Sequence, residues 1–242
     1  MKAVKKSPAK SSGRFGWVKW VFIVPVLLVL VVQLYFFLQI WWWVDHNPSM
    51  TSFMREQQSA LQEKNPNAEI RQTWVPYNRI SNNLKRAIIA SEDANFSEHE
   101  GVDWDALQKA YEKNNKKRKV VAGGSTITQQ LAKNLFLSGS RSYLRKGQEL
   151  VITYMLEMLM DKQRIFEIYL NVVEFGTGTF GAEAASRHYY RTSAASLNAG
   201  QAARLAVMLP NPRYYDKHRD TNYLNRRTAT ILKRMGSADL PR

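Results

Sequence analysis

Two acidic residues in the sequence are candidates for proton transfer, and the first is Glu92. It follows Leu84 and Ile88 at intervals of four, so a helix would carry all three on one apolar face. Burial, the neighbouring Asp93 and the negative end of the helix dipole would each raise the pKa of the Glu92 carboxyl. Such an acid suits general acid–base chemistry at neutral pH. An exposed acidic pair at a frayed helix end is an equally supported interpretation.

Glu149 repeats this pattern farther along the chain. Ile152 and Leu156 follow it on the same predicted helix face. The cations Arg145 and Lys146 precede it by four and three residues, which allows ion pairs along one helix. Two acids on apolar helix faces would fit a buried polar cleft. The alternative for Glu149 is a solvated ion pair that contributes little energy.

A glycine-rich turn lies between the two acids. Residues 123–130 read Gly-Gly-Ser-Thr-Ile-Thr-Gln-Gln, and they lead into a predicted helix whose N-terminus could meet an anion. The turn lacks the Lys-Ser/Thr ending of a Walker loop, so nucleotide binding is poorly supported. Four cations follow within two predicted helical segments and could together hold a phosphate group: Lys133, Arg141, Arg145 and Lys146.

Composition narrows the classes of function further. The 242 residues include 35 Lys and Arg against 20 Asp and Glu, for a formal net charge of +15, which favours an anionic partner. The absence of cysteine excludes disulfide scaffolds, iron–sulfur clusters and Cys-ligated zinc. The basic run 116–119 could suggest nucleic acid, but a loop near anionic lipid headgroups is the better interpretation. His99 and His188 each lack a second ligand at metal-site spacing.

A long apolar stretch predicts a membrane helix. Residues 20–44 contain no charged side chain, and about 20 apolar residues suffice to cross the hydrocarbon core. Residues 1–19 are basic without an acid, which places them in the cytoplasm by the positive-inside rule. A cleavable signal peptide would have a shorter apolar region and a small-residue cleavage site, so an uncleaved anchor is favoured. The remaining chain would then lie outside the cytoplasm.

Beyond the anchor, the sequence predicts a mainly α-helical protein. Period-two alternation is scarce, and helix caps are predicted at Ser81, Asp103 and Thr126, each followed by helical apolar spacing. One helix is also expected near residues 52–64. The expected organisation is a basic cytoplasmic tail (1–19), a transmembrane helix (20–44), a connector (45–76) and a larger helical domain (77–242).

Taken in order, these motifs resemble those of the peptidoglycan glycosyltransferases, the family that class A penicillin-binding proteins share with monofunctional transglycosylases. Residues 92–101 are similar to the first family motif, and residues 123–130 match the second. Arg145-Lys146 with Glu149 is similar to the third. Residues 168–171 and 175–181 are similar to the fourth and fifth. Arg191-Thr192 departs from the usual Gly-Lys in a peripheral loop. The resemblance ends near residue 215, and we expect no transpeptidase domain.

The resemblance implies a lysozyme-like α fold that polymerises lipid II by a single inverting displacement, with release of undecaprenyl pyrophosphate. Glu92 would be the general base for the acceptor hydroxyl. Lys133, Arg141 and Lys146 would stabilise the departing pyrophosphate. Glu149 would either orient these cations or stabilise the developing sugar cation.

The other residues assigned to the substrate site would shape or support it. For Asn171 a purely structural role is equally supported, and Arg145 could instead hold its helix together. No cofactor would be obligatory, although a pyrophosphate would bind Mg²⁺ or Mn²⁺. Expected partners are lipid II, the growing lipid-linked glycan, the membrane and cell-wall synthesis or division proteins, but not nucleic acid. The assigned set is Asp93, Ser125, Thr126, Gln129, Gln130, Arg145 and Asn171.

The sequence also allows two competing functions. A lysozyme-like lytic enzyme also uses an acid in an apolar setting, to protonate a glycosidic oxygen, but it would not need the cations that follow the glycine-rich turn. A membrane-anchored cell-wall scaffold would need no catalytic carboxylate at all.

Overall fold

The computed structural model describes residues 16–119, 123–137 and 142–241, with side chains from residue 19 onward. Arg141, one of the predicted phosphate-binding cations, lies outside the described residues. The chain divides into two units between residues 39 and 40.

The first unit contains most of helix α1, which spans Gly16–Asp45. The predicted membrane span, residues 20–44, falls within this helix. The segment Lys19–Asp45 is long and apolar enough to cross a membrane, and large apolar side chains along it are exposed. A helix that is apolar around its whole circumference is suited to a non-aqueous environment.

The second unit is mainly α-helical, and the helices that follow Ser81, Asp103 and Thr126 begin at the caps that the sequence predicts. The Ser81 hydroxyl accepts a hydrogen bond from the Asn83 amide at 3.2 Å, and Asp103 accepts one from the Ala106 amide at 2.8 Å. The helices in this unit are α2 Ser52–Gln62, α3 Asn82–Glu92, α4 Trp104–Lys117, α5 Ile127–Phe136, α6 Tyr143–Leu159, α7 Lys162–Val172, α8 Ala182–Tyr190, α9 Ala199–Met208, α10 Pro212–Lys217 and α11 Asn222–Arg234.

Two groups of helices form the core of this unit. Helix α3 packs against α9 and α11, and α5 packs against α2, α6 and α7. The apolar positions that defined the predicted helices are buried in these contacts, which removes large aliphatic side chains from water. They include Leu84, Ile88, Ile127, Leu131, Leu135, Ile152 and Leu156.

The segment predicted as a connector, residues 45–76, is built into the second unit. Its helix α2 matches the one expected near residues 52–64 and packs against α5. Its strand β1, Arg71–Gln72, joins a small sheet. The division at 39/40 lies within α1, close to the expected end of the membrane span at residue 44. Residues 45–76 fall in the second unit, where α2 and β1 have long-range partners that local composition does not reveal.

The small sheet has the strand order β1-β3-β2, where β2 is Glu174–Gly176 and β3 is Thr179–Phe180. Strand β3 pairs in parallel with β1 and antiparallel with β2. The β2–β3 turn uses Gly178 at φ +64°, and Gly181 follows at φ +80°, where a Cβ would lie 2.6 Å from the Asn171 carbonyl oxygen. Both positions need glycine. Strands this short show no readable alternation in the sequence.

Helix α4 forms where expected but exposes the residues that predicted it. Trp104, Leu107 and Tyr111 are 60%, 41% and 70% exposed, whereas Ala110 is buried. On α11, Leu224 is buried, whereas Leu232 is 40% exposed. Helical spacing thus predicts a helix but not which of its residues are covered.

Candidate active site

The Glu92 carboxyl lies at the last residue of α3 and is partly buried among polar side chains. Its Oε2 accepts a hydrogen bond from Gln130 Nε2 at 3.0 Å, and Oε1 lies 3.4 Å from the Ser91 hydroxyl. Burial raises the pKa of this carboxyl and the charge of Asp93 adds to the effect, whereas Gln130, Ser91 and Arg227 oppose it. Glu92 is thus not the exposed acid of a frayed helix end, and a raised pKa suits a general base or acid.

Gln130 is held in place by a second contact from α7. Its Oε1 accepts a hydrogen bond from the hydroxyl of Tyr169 at 3.0 Å, which leaves Nε2 to donate to Glu92. Tyr169 is fully buried, and burial followed by the charges of Glu92 and Asp93 raises its pKa well above the usual value. The phenol therefore remains a neutral donor that fixes the Gln130 amide.

Asp93, assigned to the substrate site from the sequence, directs its carboxylate into the protein. It accepts hydrogen bonds from His99 Nε2 at 3.0 and 3.1 Å and from the backbone amide of Ile127 at 2.9 Å. Asp93 thereby joins the end of α3 to the start of α5. In this position it orients the two helices that carry Glu92 and Gln130.

The glycine-rich stretch divides into internal and accessible residues. Thr126 and Gln129 are buried and form a reciprocal capping box at the start of α5, and the Thr126 hydroxyl also donates to the Gly101 carbonyl at 2.6 Å. Ser125 is exposed just ahead of the helix, and Gln130 is partly exposed. Thr126 and Gln129 therefore build the helix start, while Ser125 and Gln130 can reach a ligand.

Glu149 is buried, at 4% exposure, and is held by two cations from its own helix. Its Oε2 accepts a hydrogen bond from Arg145 at 2.8 Å, and its Oε1 accepts one from Lys146 Nζ. The Lys146 side chain is half-exposed. The Nε of Arg145 is buried without a hydrogen-bond partner among the described residues. The carboxylate thus anchors the cations, whose outer surfaces remain accessible.

Lys133 on α5 adds a third cation to this group. Burial lowers the pKa of its ammonium, the charge of Glu149 opposes that effect, and Arg145 and Lys146 reinforce it. Among the described residues none accepts a hydrogen bond from the Lys133 ammonium. Three cations facing one carboxylate leave a positive excess, which suits a phosphate-bearing ligand.

Helix α5 links the two acids through residues one turn apart. Gln130 contacts Glu92, and Lys133 lies within the electrostatic reach of Glu149. Side chains three apart lie on neighbouring positions of one helix face. The predicted base and the predicted phosphate-binding cations therefore meet along one face of α5.

Asn171 is fully buried and uses its amide within the protein. Its Nδ2 donates to the Val75 and Glu167 carbonyls, both at 2.9 Å, and its Oδ1 accepts from the Val75 amide at 2.9 Å. These bonds tie residues 71–76 to α7. This geometry favours the structural role for Asn171, which the sequence left open.

Two residues near Glu92 were not predicted from the sequence. Tyr169 lies in the fourth motif, but its contact with Gln130 depends on how α5 and α7 pack. Arg227 on α11 lies near enough for its charge to lower the pKa of Glu92, and α11 packs against α3. No local pattern distinguishes Arg227 from the other arginines of the chain, so only the fold could identify it.

The carboxylates described here do not form a metal cage. Asp93 and Glu149 are already held by protein donors, and no group of three or more His, Asp or Glu that could bind a metal occurs among the described residues.

Comparison with known proteins places the chain in a family. The model of the transglycosylase family matches residues 57–236. The biosynthetic peptidoglycan transglycosylase of Janthinobacterium sp. (strain Marseille) is 78% identical over 222 residues, which cover 92% of this chain and 96% of that protein. The protein of the same name from Bordetella pertussis is 57% identical over 241 residues, 97% of this chain and 100% of that protein. The chain therefore belongs to the transglycosylase family.

This result confirms the family that the motifs indicated, and with it a glycosyltransferase enzyme of the mainly α, lysozyme-like fold class. The matched range begins within α2, so the family domain includes part of the segment predicted as a connector. Glu92, Lys133 and Glu149 all lie inside the matched range.

Proposed function

We propose that this transglycosylase polymerises lipid II into linear glycan strands of peptidoglycan and releases undecaprenyl pyrophosphate. The observation that carries the proposal is the shared face of α5, where Gln130 contacts Glu92 and Lys133 faces the Glu149 cation group. A polymerase needs a base for the acceptor and cations for the leaving group within reach of one sugar. A lytic enzyme needs no such group of cations.

Glu92 acts as the general base on the acceptor. It takes the proton of the acceptor 4-hydroxyl while that oxygen forms a bond to the anomeric carbon of the lipid-linked chain. The bond from the anomeric carbon to the pyrophosphate breaks, and its electron pair leaves with the pyrophosphate. Gln130 and Tyr169 orient the carboxylate, and the displacement inverts the anomeric configuration.

Lys133, Arg145 and Lys146 stabilise the charge that develops on the departing pyrophosphate, with Arg141 assigned to the same task from the sequence. Glu149 holds two of these cations through both of its oxygens, which favours an orienting role over direct stabilisation of a sugar cation. A divalent cation bound with the pyrophosphate would supply further neutralising charge. Ser125 lies at the accessible edge of the donor side.

Helix α1 anchors the enzyme in the bacterial inner membrane, with residues 1–19 in the cytoplasm and the catalytic unit on the outer side. The apolar length of α1 and the basic flank before it support this arrangement. Both substrates are lipid-linked, so anchoring confines enzyme and substrate to the same surface and raises their effective concentration.

The test is to supply purified lipid II and finished glycan separately to the full chain. We expect glycan polymer from lipid II with the parent protein, and none above background with Glu92→Gln. Shortening of finished glycan without polymer from lipid II would favour the lytic alternative. If Glu92→Gln complemented a strain lacking other polymerases as well as the parent does, scaffolding would replace catalysis as the function.

A further inference from the structure

An aromatic cluster lies at the surface where α10 is followed by α11, and the proposed mechanism does not use it. The rings of Tyr214 and His218 stack with centroids 4.2 Å apart and planes at 16°. Tyr214 also meets Tyr215 edge-on at 5.2 Å. Tyr215 and Tyr223 lie parallel within 7°, with centroids 6.1 Å apart. These four residues form the aromatic platform.

The aromatic platform is not part of the hydrophobic core. Tyr214 is 46% and Tyr223 is 52% exposed, whereas the adjacent Leu224 is fully buried and supplies the apolar contact of that helical turn. The rings form a contiguous aromatic surface made of two parallel pairs, and the planes of Tyr214 and Tyr215, one from each pair, meet at 77°. Contiguous ring area indicates a binding surface more than scattered single residues would. The fold therefore leaves ring area available to a ligand.

One member of the aromatic platform, Tyr223, lies on the helix that also carries Arg227. Tyr223 and Arg227 are four residues apart on α11, so their side chains share one face of the helix. The charge of Arg227 acts on Glu92, and α11 packs against α3, which ends at Glu92. A chain molecule that extends from Glu92 past Arg227 would meet Tyr223 one helical turn farther on.

We propose that the aromatic platform binds pyranose rings of an N-acetylated glycan strand outside the site around Glu92. The proposal rests on the proposed function, because the strand being synthesised would be the occupant. The faces of such a ring present C–H bonds that pack against a flat aromatic surface, while its hydroxyls and amides point to polar neighbours. The tyrosine hydroxyls and the Asn222 side chain can supply hydrogen bonds of that kind.

Charge and polarity around the aromatic platform favour this ligand over a lipid chain. Lys217 and Arg226 are exposed cations beside it and complement the carboxylates of peptides carried on peptidoglycan strands. An acyl chain would require contiguous aliphatic surface, whereas the exposed neighbours on these segments include Asp220 and Asn222. The surface therefore fits a hydroxylated, partly anionic polymer.

The test measures binding of the hexamer of β-1,4-linked N-acetylglucosamine to the full chain in detergent, by titration calorimetry. Tyr214→Ala and Tyr223→Ala should each weaken the affinity roughly threefold to tenfold, since an aromatic contact contributes on that scale. Tyr111→Ala, at a 70% exposed tyrosine on α4, is the matched control and should bind as the parent does. Thermal unfolding of each variant checks that the fold is retained.

The outcomes separate this proposal from the proposed function. No binding by the parent chain, or equal binding by all three variants, overturns the aromatic platform as a glycan site. If the two variants lose oligosaccharide binding but the parent makes no polymer from lipid II, the proposed function fails and the glycan site stands.

Discussion

Glu92 and Glu149 occupy similar places in the sequence pattern but meet opposite surroundings in the fold. Each follows or precedes apolar residues at helical spacing, and each is at least partly buried. The Glu92 carboxyl receives hydrogen bonds from the neutral side chains of Gln130 and Ser91, whereas Glu149 is bound by the cations Arg145 and Lys146. Glu92 is thus placed to accept a proton, whereas Glu149 is an anchor for two cations.

The difference comes from where the partners lie in the chain. Arg145 and Lys146 precede Glu149 within one helical turn, so the pairing follows from local geometry. Gln130 reaches Glu92 from another helix, and its orientation depends on Tyr169 from a third. The chemical role of a buried acid therefore depends on the charge of its partners as well as on its burial.

The largest expected effect is the loss of turnover in Glu92→Gln. Glutamine keeps the shape of the side chain but cannot take a proton, and general-base catalysis contributes about 10²- to 10⁴-fold. We expect kcat for lipid II to fall by that factor with KM little changed and the melting temperature preserved. Single-turnover kinetics on purified lipid II measures this. A decrease below about tenfold would contradict the assignment of Glu92 as the base.

Lys146→Ala, a change beside Glu149, should lower turnover less than Glu92→Gln does. The Lys146 side chain is half-exposed, and Arg145 and Lys133 remain near Glu149, so we expect turnover to fall roughly tenfold to a hundredfold. Lys113→Ala, at an exposed lysine on α4, is the control. A melting temperature that falls with little change in turnover of the remaining folded protein would instead make Lys146 a structural residue.

The sequence predicted the local parts of this arrangement and missed those that depend on packing. The helix caps at Ser81, Asp103 and Thr126 and the pairing of Glu149 with its cations follow from spacing of four residues or fewer, and the structure contains them. The family motifs also identified the fold class. These features are readable because each is decided within one or two turns of helix.

The direction of several side chains could not be read in the same way. Asp93 and Asn171 were assigned to the substrate site, yet the fold directs both to protein donors and acceptors distant in the chain. Trp104 and Tyr111 have helical spacing but are 60% and 70% exposed. Arg227 approaches Glu92 only because α11 packs against α3. Each case depends on tertiary contacts that override a local pattern.

Tyr169→Phe tests the positioning of Glu92 through Gln130. Loss of the hydroxyl leaves the Gln130 amide free to turn, and a hydrogen bond of this kind contributes about 0.5–1.5 kcal/mol. We expect turnover to fall roughly twofold to tenfold. We also expect the acidic limb of the pH–rate profile to move to higher pH, because Gln130 lowers the pKa of Glu92. Tyr189→Phe removes a comparable partly buried hydroxyl and should leave the limb in place.

The smallest expected effect is a difference in how stability depends on pH. The pKa of Glu92 is raised in the folded protein by burial, so the folded state holds this proton more tightly than the unfolded state. The contribution of Glu92 to stability is therefore fully present below the unfolded pKa and is lost as pH rises through the folded pKa. Glu92→Gln carries no such proton, so it should gain stability relative to the parent as pH increases from about 4. Glu149→Gln loses two ion pairs and should remain less stable than the parent across the neutral range. Urea unfolding of the three proteins between pH 4 and 8 measures both trends. If the difference in stability between Glu92→Gln and the parent did not vary with pH, Glu92 would not titrate as a buried acid.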